Sequence, residues 1–238
     1  MIEKYLNKIT LGDSYDLIKE LPDKSIDCVY TDIPYLYVNG GLGHSEMCER
    51  TERKKQELKD ISNGIDYSIL DEFKRVLKKV NIFIWCSKMQ LLDIMNWGGQ
   101  YNQDLLVWCK SNPTPQTNNV WLPDLEYCVH IREKGVPLND GYELKSKYYI
   151  SPANKNDKDL FNHPTIKPLP LIKRHILHAT QPNDIVLDTF MGSGTTAVAC
   201  LETDRQFVGF EIDEKWCKIA NNRIKGILAS GQMSLFLR

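Results

Sequence analysis

No run in the 238-residue chain approaches the ~20 consecutive apolar residues that span a bilayer. The opening MIEKYLNKIT also lacks the apolar core of a secretion signal. Both absences argue for a cytoplasmic protein without a membrane partner. None of the seven cysteines belongs to a C-x-x-C pair, which excludes a zinc knuckle. His44 and Cys48 lack the two further ligands a structural metal needs, so no metal site is expected. The odd cysteine count and apolar neighbours suit reduced, buried thiols. No excess of one charge exists either: the formal net charge is −1, so bulk charge does not announce a polyanionic partner. The chain has no G-x-x-x-x-G-K-[ST] phosphate loop, no internal repeat and no low-complexity tract.

What is present is the composition of one globular domain over residues 1–238, 42% hydrophobic and 26% charged. Short apolar runs alternate with amphipathic stretches, the pattern of an α/β sheet. Strands are predicted at 9–11, 25–31, 81–86, 104–109, 126–131, 184–187 and 206–210, seven in all. Helices are predicted at 14–21, 67–79, 88–97, 168–178, 194–202 and 214–228. No helical pattern separates the strands at 104–109 and 126–131, so these two pair antiparallel. Two polar stretches remain, a loop at 36–66 and a region at 132–163. Local basic clusters fall in or near them: Arg50, Arg53, Lys54, Lys55 and Lys59, then Lys145, Lys147, Lys155 and Lys158. Each cluster fits either phosphate contacts or a solvated charged face.

Two strand ends carry chemistry. At 188–196, a strand runs into D-T-F-M-G-S-G-T-T and then a helix. Gly192 and Gly194 allow a tight turn and close approach of a ligand to the backbone. The third glycine of G-x-G-x-x-G is missing, which argues against a dinucleotide. Glu211 closes the next strand, where an acid accepts hydrogen bonds from ribose hydroxyls; alternatively it is a charge at the start of the last helix. The site therefore asks for a ribose-bearing ligand and offers little to a pyrophosphate.

The other strand end is Asp32-Ile33-Pro34-Tyr35. An exocyclic amine of a nucleobase is a poor nucleophile because its lone pair is delocalised into the ring. Two acceptors aimed at its two N–H bonds would localise that pair. The carboxylate of Asp32 and the carbonyl of Ile33, held extended by Pro34, supply them, and Tyr35 can stack on a flipped base. Alternatively, this is a strand-end turn with a packing tyrosine.

From Gly12 to about Arg223 the sequence resembles the β-class DNA amino-methyltransferases. T-D-I-P-Y resembles their D-P-P-Y, and D-T-F-M-G-S-G-T-T their D-P-F-x-G-S-G-T-T. H-P-T-I-K-P at 163–168 is similar to H-P-T-x-K-P, and W-C-K-S-N-P-T-P at 108–115 to W-x-K-x-N-P-x-P. Gly12-Asp13 matches a G-D near their N-terminus. The resemblance implies a Rossmann-like methyltransferase fold with a mostly parallel seven-stranded sheet, one antiparallel strand and a circularly permuted motif order. It implies methyl transfer from S-adenosylmethionine to a flipped base in DNA, with Asp32, Pro34 and Tyr35 forming the base pocket. For the cofactor it implies Asp13 near the adenine and Asp188, Phe190, Gly192, Ser193, Gly194 and Thr195 in the loop. Glu211 takes the ribose, and His163, Thr165 and Lys167 lie near the methionine end.

The sequence departs from the family at Ile33, where proline is usual and only a carbonyl is needed, and at Thr189, also a usual proline. The 132–163 region is short for target recognition, so either the recognised sequence is short, or the 36–66 loop or a second subunit shares that task. Asp32 favours adenine N6 over cytosine N4, since cytosine enzymes of the family usually begin this motif with serine. No cysteine follows a proline, which disfavours C5 chemistry. A catalytically silent DNA-binding relative and a nicotinamide-dependent oxidoreductase are the other readings. Met89, Leu92, Met95 and Trp97 face either the domain's own core or a second copy in a homodimer.

Overall fold

The computed structural model describes residues 2–36, 64–115, 119, 121–153 and 166–229. Its strands are β1 (Lys8–Leu11), β2 (Cys28–Asp32), β3 (Asn81–Cys86), β4 (Asn102–Lys110), β5 (Leu125–Arg132), β6 (Tyr148–Ser151), β7 (Ile185–Asp188) and β8 (Gln206–Glu211). Its α-helices are α1 (Ser14–Leu17), α2 (Ile69–Val76), α3 (Leu91–Trp97), α4 (Leu169–Ala179), α5 (Thr195–Leu201) and α6 (Glu214–Ala229). The expected helix over 14–21 tightens halfway into a 3-10 turn at Ile18–Glu20.

All eight strands form one sheet in the order β1-β8-β7-β2-β3-β5-β4-β6. The strand β5 runs against both its neighbours, and the other pairings are parallel. The predicted antiparallel pair is β4–β5, in register from Asn102↔Arg132 to Cys109↔Leu125. A chain without a crossover helix can only turn back on itself, and this hairpin does so at the edge where the parallel strands end.

The eighth strand, β6, corrects the expected count of seven. It sits at the sheet edge beside β4, within the 132–163 region. Its side chains alternate between exposed and half-buried, with Tyr148 60% and Ile150 63% exposed, so only Tyr149 packs on the core. Four residues with one inward ring leave almost no periodic signal.

The central strands are buried on both faces and read as continuous apolar runs; every residue of NIFIWC in β3 is buried. Alternate side chains enter two cores. Tyr30, Phe83 and Trp85 meet α4, α5 and α6 on one face. Val29, Ile82 and Ile84 meet α1, α2 and α3 on the other. Within the first core the rings of Phe83 and His130 stack 3.8 Å apart, and Tyr30 Oη takes the Trp85 Nε1–H at 2.9 Å. Burial pushes His130 down to about 3, which keeps this stacked imidazole neutral.

From β7 the chain passes through α5 to β8 on one side of the sheet. From β2 it passes through α2 to β3 on the other. The carboxyl ends of β7 and β2 therefore flank the point where strand order reverses, which is where open α/β sheets bind ligands. Those ends are Asp188 and Asp32.

Candidate active site

Asp188 lies at the centre of this edge, 3% exposed. Its Oδ1 accepts the Thr31 hydroxyl at 3.0 Å and the Phe190 amide at 3.1 Å. Burial outweighs these donors and lifts its carboxyl to about 7. The turn after it follows from its glycines: Gly192 has φ 53° and Gly194 φ 83°. A Cβ on Gly194 would stand 3.0 Å from that of Ala220, so the left-handed turn also lets α5 begin hard against α6. Ser193 and Thr195 are buried behind the turn, where Arg223 reaches the Ser193 carbonyl at 3.2 Å and Thr195 Oγ1 at 3.1 Å. Phe190 stays half-buried at the rim.

Glu211 folds back onto the same turn. Its Oε2 accepts the Gly192 amide at 2.7 Å, and its Oε1 accepts the Asp213 amide at 2.9 Å. The Gly12 amide donates to the Glu211 carbonyl at 2.9 Å, which brings Asp13 alongside. Asp13 caps α1 by accepting the Tyr15 amide at 2.9 Å, and Ser14 Oγ donates to the Thr189 carbonyl. The expected cofactor residues Asp13, Asp188, Phe190, Gly192, Ser193, Gly194, Thr195 and Glu211 thus come together. Glycines that admit a ligand to the backbone, a nearly buried acid at the second strand end and a half-buried ring fit the adenosine part of S-adenosylmethionine.

Thr31 joins this cradle to the second cluster, since the next residue is Asp32. Thirty per cent of the Asp32 side chain is accessible, yet its Oδ1 is buried with no hydrogen-bond partner among the described residues. Its Oδ2 lies 2.5 Å from Lys167 Nζ. Burial raises the Asp32 carboxyl, Lys167 opposes that rise, and Glu126 adds to it. The Ile33 amide donates to the Trp85 carbonyl at 3.2 Å, and Gln90 Nε2 donates to the Pro34 carbonyl at 3.0 Å. Tyr35 Oη donates to Glu126 Oε2 at 3.3 Å and accepts from Lys167 at 3.1 Å.

Lys167 is placed with Asp32, Tyr35 and Glu126. It is 5% exposed, and its ammonium lies 5.2 Å from the Tyr35 ring centroid and 5.1 Å from that of Trp85. Burial opposes its charge, but Asp32 and Glu126 more than compensate and raise its pKa. His163 and Thr165, like His44, Cys48 and the 50–59 basic cluster, lie outside the described residues. So do Lys155 and Lys158; Lys145 is paired with Asp140 at 2.6 Å and Lys147 with Asp104 at 2.5 Å.

Sequence reasoning assigned no role to Glu126, Lys110, Ser87 or Gln90. For Glu126 the one signal is a carboxylate opening an otherwise apolar strand, EYCVHI. Ser87 and Gln90 stand in the S-x-x-Q spacing of a capping box. Gln90 Oε1 accepts the Ser87 amide at 3.0 Å, which turns the other end of the amide toward Pro34.

The family described as DNA methylase matches residues 26–222. The chain belongs to it. It is an S-adenosylmethionine-dependent DNA methyltransferase of the group that methylates adenine N6 or cytosine N4. It is 27% identical over 235 residues to the Type II methyltransferase M2.LlaDCHI of Lactococcus lactis subsp. cremoris, covering 90% of this chain and 87% of that one. It is likewise 27% identical to M2.DpnII of Streptococcus pneumoniae, covering 94% and 93%. Among solved structures, the M1.HpyAVI–SAM complex superposes with a TM-score of 0.66 at 25% identity, covering 91% of this chain and 98% of that chain. The methyltransferase therefore shares its architecture with relatives along nearly its whole length.

Proposed function

We propose that this methyltransferase transfers a methyl group to adenine N6 at a specific DNA site, with Asp32 as the acceptor that activates the amine. The observation that carries this reading is Asp32 Oδ1, a buried carboxylate oxygen without a donor among the described residues, one residue from the Thr31–Asp188 contact with the cofactor cradle. A buried acceptor left without a donor costs free energy that a ligand N–H can recover. Lys167 saturates Oδ2, so the carboxylate presents one oxygen to the target. Gln90 occupies the Pro34 carbonyl, which supports the Ile33 carbonyl as the second acceptor.

S-adenosylmethionine, held by Phe190, Gly192, Gly194, Glu211 and Asp13, supplies an electrophilic methyl group when bound. The chain's own part is to localise the amine lone pair and receive what the amine sheds. Asp32 strengthens its hydrogen bond as the nitrogen becomes tetrahedral and more acidic. That gain exists only at the transition state, so it lowers the barrier without tightening ground-state binding. Glu126 is held at about 2 and stays ionised, whereas burial lifts Asp32, so Asp32 is the better proton acceptor of the two. Tyr35 holds the extruded base by stacking.

Two finer readings belong here. Met89, Leu92 and Met95 are exposed around α3 while Ile94 turns inward, and this apolar face supports a homodimer. Sedimentation at micromolar concentration then shows twice the chain mass; a monomer removes the idea. Six described cysteines are free thiols, five of them buried, which supports a reducing cytoplasm.

The deciding experiment incubates the protein with duplex DNA and methyl-labelled S-adenosylmethionine, digests the DNA and separates the nucleosides. Label in N6-methyladenine is expected. Label in N4-methylcytosine overturns the assignment of base, and unlabelled DNA overturns the activity.

A further inference from the structure

Beyond the Asp32–Lys167 pair, a second ion pair reaches the same edge from the β4–β5 hairpin. Lys110 closes β4 and Glu126 stands second in β5, so the antiparallel turn delivers both where β2 ends. Lys110 Nζ lies 2.6 Å from Glu126 Oε1, and Lys167 Nζ lies 3.0 Å from Glu126 Oε2 and 2.5 Å from Asp32 Oδ2. The charges alternate along the row Lys110, Glu126, Lys167, Asp32. The row ends on a carboxylate whose other oxygen has no donor among the described residues. Each inner member is shared. Lys167 divides its attraction between two carboxylates, and Glu126 divides its own between two lysines.

We propose that Lys110 and Glu126 are positioning residues for methyl transfer, setting how firmly Lys167 holds Oδ2 of Asp32 and hence how strongly Oδ1 accepts the target amine. The proposal rests on the role given to Asp32 above and extends it to two residues that do not touch the base. A lysine pledged to Asp32 alone would draw electron density from the carboxylate and make Oδ1 a poorer acceptor. Glu126 prevents this by competing for the ammonium. Lys110 limits the competition, because without it Glu126 would pull Lys167 away from Asp32.

The electrostatics run the same way. Burial would raise Glu126, but Lys167 and Lys110 overcome it and hold the carboxyl at about 2. Tyr30, Cys86 and Cys128, on β2, β3 and β5, also lie within electrostatic reach of Asp32, and burial raises all three so that they stay neutral. Tyr35, Lys167 and Glu126 also act on Asp32, and Asp188 lies behind Thr31 with its carboxyl at about 7.

The test is the pH dependence of single-turnover methyl transfer to duplex DNA. The rate falls on the acid side as Asp32 takes up a proton. Glu126→Gln removes a negative charge and leaves Lys167 to Asp32, so this acid limb moves to lower pH by roughly one unit. The plateau rate falls with it, because Oδ1 becomes a weaker acceptor. Lys110→Met removes a positive charge and frees Glu126 to draw Lys167 off, so its acid limb moves to higher pH by a similar amount. Calorimetric affinity for S-adenosylmethionine stays within about twofold in both, a difference under about 0.5 kcal/mol. A merely structural role moves neither limb. Asp188 is common to all three proteins and cannot produce opposite shifts. If Glu126→Gln fails to fold, Lys110→Met alone still gives a signed result, since Lys110 sits at the rim with 20% of its side chain exposed. Limbs that stay in place, or that shift in the same direction, overturn the proposal while a competent parent leaves the reading of Asp32 intact. A parent that methylates no adenine fails on the earlier reading and takes this proposal with it.

Discussion

The two halves of the site are built on different plans. The proposed cofactor cradle is local and backbone-made. Residues 188–196 turn on two glycines, and one acid, Glu211, fastens the turn by accepting its amide. The base pocket is assembled from distant side chains, since Asp32, Glu126 and Lys167 come from β2, β5 and the entry to α4. A backbone cradle tolerates side-chain change as long as its dihedrals survive. A pocket held by buried charges fails when any one charge is left alone.

That contrast can be broken or sharpened by substitutions at four positions. The largest effect is expected at Asp32. Asp32→Ala removes the amine acceptor and should lower single-turnover methyl transfer by at least about 10²–10³-fold, the scale seen when one preorganised hydrogen bond to a transition state is lost. Calorimetric binding of S-adenosylmethionine should persist. Near-normal turnover would overturn the mechanism, and lost cofactor binding would move Asp32 to the other half.

Gly192→Leu should act in the opposite sense. Its side chain fills the space above the turn, so cofactor affinity should fall more than about tenfold, or 1.4 kcal/mol, in a protein whose circular dichroism is unchanged. Unaltered affinity would place the ligand elsewhere.

Asp188 tests the seam between the halves through stability. Its carboxyl titrates at the ordinary 3.8 when unfolded and at about 7 when folded. Between those values the folded protein holds one more proton than the unfolded chain. This group's contribution is therefore complete below 3.8 and is lost as the pH rises through 7. Asp188→Asn removes that loss, so its Tm relative to the parent should climb from pH 5 to pH 8. A difference that does not change with pH would mean that Asp188 is not raised.

The smallest effect is expected at Tyr35. Tyr35→Phe keeps the ring and loses only the hydroxyl contacts with Glu126 and Lys167. The rate should drop a few-fold, whereas Tyr35→Ala also loses stacking worth about 1–3 kcal/mol. Equal losses in the two variants would show that the hydroxyl, not the ring, carries the role.

The same contrast explains what could be read from sequence. The cradle is contiguous, so D-T-F-M-G-S-G-T-T and the acid one strand later expose it directly. So does the strand-end carboxylate of Asp32, because a strand rich in apolar residues that stops at an acid marks its own edge. The partners of Asp32 were hidden for a geometric reason. Glu126 meets Lys167 only because β5 runs against β3, and register across a sheet is not written in either strand alone. Lys167 sits beside a proline at a helix entry, a position equally compatible with either half of the site. The strand β6 was missed because its outward positions, Tyr148 and Ile150, are as apolar as the inward Tyr149, so its alternation in burial leaves no polar–apolar alternation in the sequence.

The reversed direction of β5 has one more consequence, for what fixes the distance between the two charges. The two ends of the hairpin, Lys110 and Leu125, lie together at the reacting edge, closed by the Lys110 amide on the Asp124 carbonyl at 2.7 Å. Lys110 and Glu126 both belong to the strands themselves. That backbone bond acts as a clasp, so the spacing of the two charges is set by the strand ladder and not by the side chains of the turn.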